Sequence, residues 1–259
     1  HCFWIVSTQM FGEFLNFEEN GVYSIILSIL SFILIPQMGL FNISAPIINK
    51  TIAEGEFEEL DRFHKKTSLT LFFLGAVLFS CILVGFPYLT NIIKNGDQLR
   101  QAEPVVWILG FAMIFDLATG FNGHIISLSK YYRFNIVIML FLAVTTIVLN
   151  YLFLTKTELG IIGIAMATGI SLTLFNMIKI YFNYLKFNVF PLTIEMMYIL
   201  IICTLAITVA IILPETGNNF LNFIYKPTFV LMVIFGANHF MKIFPVEEYI
   251  NKKFIKSIF

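Results

Sequence analysis

The sequence predicts an all-α fold, a polytopic transmembrane helical bundle, and three observations predict it. Of 259 residues, 58% are hydrophobic and only 12% charged. Soluble domains carry about 25% charged residues, so the chain lacks the charge to cover a water-facing surface. The mean hydropathy is +0.86, raised by 30 Phe and by Ile-rich runs. Apolar runs near the roughly 20 residues that a bilayer core demands recur along the chain between short polar connections. Zero formal net charge leaves no electrostatic basis for nucleic-acid binding.

The chain opens on a short apolar run, His1–Phe17, with no basic n-region and no small-residue cleavage site. The expectation is a partial helix belonging to a longer protein. After the acidic turn Glu18–Gly21, a first full span is expected at about Val22–Ile43, interrupted by Pro36 and Gly39 and carrying Gln37 and Asn42. Proline in a membrane helix frees a carbonyl that side chains, waters or neighbours must satisfy, and broken helices line transporter sites. Gln37 and Asn42 are therefore candidate binding residues, with a packed kink held by amide bonds as the alternative. Lys50–Lys66 is the most polar stretch, and Ile52, Phe57, Leu60 and Phe63 in it predict a short amphipathic helix on the membrane surface. His64 reads as a solvated residue there. A structural span follows at about Thr67–Leu89, then a mixed-charge loop at Thr90–Glu103.

The stretch around which the rest is organised is Val105–Arg133. It is long and apolar enough to cross a membrane, yet contains Asp116, Asn122 and His124 and ends in Lys130 and Arg133. On an unbroken helix Asp116, Gly120 and His124 fall at i, i+4 and i+8 and share one face. Ionisable groups in hydrocarbon cost several kcal/mol and face a bundle interior or a wet cavity. The segment is thus expected to wall a transport path, the alternative being a protonated Asp116 that pins two helices. Further spans are expected at Asn135–Phe153, from Gly160 to about Tyr184, at about Ile194–Leu213, and at Phe220–Met241 or Pro227–Phe244. Small residues at Gly160, Gly163, Ala165, Ala167 and Gly169 predict close approach of a neighbouring helix. Asn176 and Lys179 lie in the later half of that span, with Lys179 expected to snorkel to the interface.

Seven spans sort the sixteen basic residues into twelve on one side and four (Lys94, Arg100, Lys156 and Lys226) on the other. The positive-inside rule places the larger set, and the C-terminal tail Glu247–Lys256, in the cytoplasm. Cys2, Cys81 and Cys203 have no paired or metal spacing and read as small apolar residues. No phosphate-binding loop, dinucleotide turn or His pair with metal spacing occurs. The expectation is no enzyme, no metal and no cofactor, because the polar groups are dispersed along spans instead of gathered in large loops.

Four stretches carry a likeness to a known family: Glu19–Ser24 (ENGVYS), Pro36–Gln37 through Ala45–Pro46 and on to Lys66, Gly120–Gly123 (GFNG) with Ser129–Tyr131, and Leu159–Thr168 (LGIIGIAMAT) followed by Asn176, Lys179 and Tyr181. The chain resembles the polysaccharide-export flippases of the multidrug, oligosaccharidyl-lipid and polysaccharide exporter superfamily, in particular O-antigen-type lipid-linked oligosaccharide flippases. The resemblance implies the second lobe of a two-lobe transporter. Residues 1–188 would hold a partial helix and five helices of that lobe; residues 189–259 would hold an extra helix pair and a cytoplasmic tail. It also implies a bacterial cytoplasmic (inner) membrane, an N-terminal lobe of the same polypeptide as partner, and a polyprenyl-diphosphate-linked oligosaccharide as cargo moved by alternating access. His124, Lys130 and Arg133 would meet the diphosphate, and Gln37, Asn42 and Asn122 would hydrogen-bond sugar or phosphate. Asp116 would couple the cycle to protons or sodium. A drug or metabolite exporter of the same superfamily is the first rival. A membrane glycosyl- or acyltransferase is the second, and a non-transporting scaffold the third.

Overall fold

In the computed structural model, which describes residues 17–94 and 96–244, every regular element is helical. The first element, α1 (Phe17–Ser31), passes through a single 3-10 turn at Phe32–Leu34 into α2 (Ile35–Glu54). Pro36 sits in the first turn of α2, where its missing N–H costs no hydrogen bond. The two form one apolar rod, Glu18–Glu54. Gly55, at φ 75°, ends it, and α3 (Phe57–Ile92) begins two residues later.

This corrects the amphipathic surface helix expected over Lys50–Lys66. Ile52 belongs to the end of α2, whereas Phe57, Leu60 and Phe63 belong to the start of α3. The pattern looked continuous in sequence because the left-handed turn at Gly55 falls between two helices that both project charged ends beyond their apolar parts. Lys50 and Glu54 pair across one turn at 3.8 Å, as do Asp61 and Lys65 at 2.6 Å.

The short α4 (Gly96–Gln101) leads to α5 (Glu103–Ala118), α6 (Asn122–Ser127), α7 (Tyr132–Lys156), α8 (Gly160–Phe187), α9 (Ile194–Ile212) and α10 (Asn219–Met241). Six helical stretches are long and apolar enough to cross a membrane: the α1–α2 rod, α3, α7, α8, α9 and α10. Together they make the chain a multi-pass helical membrane bundle.

Contacts between elements place the two ends of the bundle. At one end the Phe57 and Phe187 rings lie 5.6 Å apart, Tyr131 and Phe187 lie 5.9 Å apart, and the Phe190 amide donates to Asp61 at 2.8 Å. At the other, Gln98 donates to Glu18 at 3.2 Å, and the Tyr88 hydroxyl donates to Glu215 at 2.8 Å. The chain therefore passes from Gln98 to Tyr131 through α5 and α6, a seventh traverse made in two pieces. Among the described residues the alternation agrees with the sorting of the basic residues, with two exceptions: Lys179 and Lys226 are buried within the bundle.

Two helices carry the packing. Helix α3 contacts α2, α5, α9 and α10, while α8 contacts α5, α6 and α7. Lipid tails are as apolar as Leu, so helices associate through close packing and hydrogen bonds more than through expulsion of water. The small residues of α8 serve that packing: a Cβ on Gly169 would lie 3.4 Å from Ile108, and one on Gly163 would lie 3.1 Å from Phe153. Helix α9 and helix α10, the expected extra pair, pack on α3. The expected partial helix at His1–Phe17, apart from the first residue of α1, and the expected tail Glu247–Lys256 lie outside the described residues.

At Gly110 on α5, an added Cβ would fall 2.0 Å from the Phe79 ring, which is itself held edge-on against Trp107 and Phe111. Gly110→Ala should lower stability by about 1–3 kcal/mol. Gly236→Ala, with nothing within 4 Å, should be neutral or slightly stabilising. Thermal unfolding in detergent reads the difference.

Candidate functional site

The organising stretch does not form one helix. Helix α5 ends at Ala118, Gly120 adopts φ 59°, and α6 starts at Asn122. Asp116, Gly120 and His124 consequently do not stack along one face, which corrects the i, i+4, i+8 expectation. The physical reason lies at Gly120. An added Cβ would sit 2.1 Å from the Ser68 hydroxyl and 3.1 Å from His64 Cε1, so only glycine permits both the left-handed turn and the contact with α3.

Polar side chains from three helices surround the break. Asn176 on α8 donates to the Asp116 carboxylate at 2.8 Å. Thr119 donates to the Asp116 carbonyl at 2.7 Å, and its hydroxyl lies 3.5 Å from Asn176 Oδ1. Two turns further along α8, Asn183 Nδ2 donates to both oxygens of Asn122, at 3.1 Å to the carbonyl and 2.7 Å to Oδ1. His64 Nε2 stands 3.1 Å from the same Oδ1, an arrangement that needs its proton on Nε2. His64, Thr119, Asn122, Asn176 and Asn183 are all buried.

Between these two knots lies Lys179. It is 7% exposed, its ammonium 4.1 Å from the centre of the Phe175 ring and within electrostatic reach of Asp116 and His124. A Cβ on Gly123 would be 3.8 Å from Lys179 Nζ, so the ammonium lies against α6. His124 is half-buried, its ring 4.0 Å from Phe41 of α2 and 5.7 Å from Phe121. The Asp116 carboxylate is half-buried beside it. An acid, an imidazole and an ammonium thus share one face of the α6–α8 junction.

Three of the seven predicted site residues, Asp116, Asn122 and His124, come together here. The other four do not. Lys130 is exposed on the turn after α6 and Arg133 in the first turn of α7, near the Tyr131 and Tyr132 rings, where they can meet a headgroup or solvent but not Asp116. Gln37 is half-buried and Asn42 exposed on α2. Phe41 is the residue of that helix that reaches the site. Sequence reasoning missed His64, taken for a solvated residue, and Asn183, and left Lys179 at the interface. A signal was present in α8: Asn176, Lys179 and Asn183 stand at i, i+3 and i+7, one helix face.

A separate recess of about 750 Å³ opens at the α2–α3 turn, lined by Gly55–Glu59, Arg62, Phe63 and Lys66. A hydrogen bond with Glu59, reinforced by repulsion from it, holds the exposed Glu56 carboxyl above the usual carboxylate range. Among the described residues no cluster of His, Cys, Asp and Glu could hold a metal ion. Comparison with protein-family models, curated proteins and solved structures finds no match to the chain.

Gly55 and Gly120 both have positive φ, but only Gly120 also abuts another helix. Gly55→Ala should cost about 1–2 kcal/mol for left-handed backbone alone, and Gly120→Ala clearly more. The two thermal midpoints compared in detergent test whether the break is built against α3.

Proposed function

We propose that the chain is the second lobe of a transporter that moves a polyprenyl-diphosphate-linked oligosaccharide from the cytoplasmic to the periplasmic leaflet of a bacterial inner membrane by alternating access, with its C-terminus cytoplasmic. One observation supports this reading above the others: a traverse broken in mid-bundle and faced with charged and amide groups, within helices otherwise apolar. Irregular backbone at membrane depth is tolerated where it is buried in protein or lines a wet cavity, and discontinuous helices build transporter sites. The likeness at Glu19–Ser24, Pro36–Lys66, Gly120–Tyr131 and Leu159–Thr168 names the class.

The mechanism is non-covalent. The hydrophilic head of the cargo occupies the space between this lobe and an N-terminal lobe of the same polypeptide while the polyprenyl tail stays among membrane lipids. Lys179 offers positive charge and His124 a hydrogen bond to the diphosphate, whereas Lys130 and Arg133 act at the cytoplasmic mouth. Asp116 couples the rocking of the lobes to protons or sodium, since a carboxylate in low dielectric changes its neighbours' electrostatics when it is neutralised. Export of a drug or metabolite is the second reading, and Asp116 favours a cationic ligand. Lys179 beside it opposes one, which ranks this reading lower.

The test is leaflet translocation of a fluorescent lipid-linked oligosaccharide by the full-length protein in vesicles. Translocation is expected, falling severalfold in His124→Ala. Asp116→Asn should keep the Asn176 contact and lose the dependence on an ion gradient. Unaltered ion dependence would remove the coupling role; transport of organic cations with none of the oligosaccharide would favour the second reading.

A further inference from the structure

A buried polar stripe runs along more than half of α8. Thr168, Ser171, Asn176, Lys179 and Asn183 are each 7% exposed or less and fall on one broad face of the helix. At a rise of 1.5 Å per residue, the fifteen steps from Thr168 to Asn183 span roughly 22 Å. That is most of the roughly 30 Å hydrocarbon thickness of a bilayer.

The stripe is not sealed by its own hydrogen bonds. Toward one end the Tyr23 hydroxyl of α1 lies beside Thr168, yet among the described residues the hydroxyls of Tyr23, Thr168 and Ser171 lack a well-directed partner. Toward the other, His64 Nδ1, Ser68 Oγ, Asn122 Nδ2 and Asn183 Oδ1 are likewise buried and unpartnered. Between them stand Asp116 with Asn176, and then Lys179. Buried polar atoms in native proteins are paired, with protein or with ordered water, and a polar site with several donors and acceptors is where water stays. Each mouth carries an acid: Glu19 near Gly160 at one end, and Asp61, paired with Lys65, near His64 at the other.

We infer that this stripe is a hydrated path that carries protons through the lobe along α8, with Asp116 as the carboxylate loaded midway. The groups favour a proton over a metal cation. Hydroxyls, a carboxyl and an imidazole each both give and take a proton, whereas among the described residues no cluster of His, Cys, Asp and Glu could hold a metal ion. Among the described residues there is no contact ion pair between Asp116 and Lys179, so the two interact at longer range. A proton reaching Asp116 cancels its attraction for Lys179 and frees the ammonium to move toward His124 or toward an anion. Nothing is oxidised or cleaved: the proton passes from one hydrogen-bonded group to the next. The inference deepens the transport reading by naming the coupling ion and its route.

The full-length protein in vesicles loaded with a pH-sensitive dye, under a valinomycin-set potassium diffusion potential, supplies the test. Proton uptake above the protein-free leak is expected. It should fall to that leak in Thr168→Val and Ser171→Ala, two near-isosteric changes, and persist in Thr208→Val, an exposed hydroxyl on α9. Circular dichroism and the thermal midpoint establish that each variant is folded; if either stripe variant unfolds, Asp116→Asn reads the same loss. Uptake equal to the leak in the parent protein, or unchanged in folded stripe variants, overturns the path. Uptake without oligosaccharide translocation upholds the path and overturns the flippase reading. Translocation without uptake overturns the path alone.

Discussion

Everything in this bundle depends on how the chain satisfies its polar groups where the traverse breaks. A backbone amide or carbonyl left unpaired in hydrocarbon costs several kcal/mol, whereas one good hydrogen bond adds only about 1 kcal/mol net. The gap at Thr119–Phe121 is therefore tolerable only because neighbours close it. Thr119 turns back on Asp116, Asn183 takes both oxygens of Asn122, and His64 shares one of them. Asn122 Oδ1 is shared by His64 of α3 and Asn183 of α8, so this one side chain ties α3, α6 and α8 together at this level.

That lock divides the work of the fold. Helix α3 is the post on which α9 and α10 lean, and α8 is the post for α5, α6 and α7. Close approach along α8 comes from Gly163 and Gly169, and orientation comes from its amides. Outside the posts, α7 turns Ile136, Leu140, Val144 and Val148 outward, as a helix against lipid or against another lobe does. The charged groups stay at the ends or gather at the α6–α8 junction, where the acid, the ammonium and the imidazole face the same space.

Much of this was legible in the residues. Composition and run length fixed the fold class, and span ends at Gly160, Ile194 and Met241 were read to within a few residues, because Pro, Gly and charge clusters mark where apolar runs stop. The break inside Val105–Leu128 was not legible. Gly120-Phe121-Asn122-Gly123 reads as tolerable helix until the approach of Ser68 and His64, more than fifty residues earlier, makes glycine obligatory. His64 misled for a related reason: its sequence neighbours are charged, but α3 turns those neighbours away and buries the ring. Lys179 looked free to snorkel, being near the end of its span, and instead its ammonium lies over the Phe175 ring inside the bundle. Long-range contacts of this kind leave no local periodicity to read. The amide face of α8 did leave one.

The central claim is that the polar face of the broken traverse meets water while the outer face of α7 does not. Single cysteines placed at His124 and at Leu140, in a chain with Cys2, Cys81 and Cys203 changed to alanine, would be challenged in intact membranes with a water-soluble maleimide. Rapid labelling at 124 with none at 140 is the predicted result. Labelling at 140 with protection at 124 would contradict it.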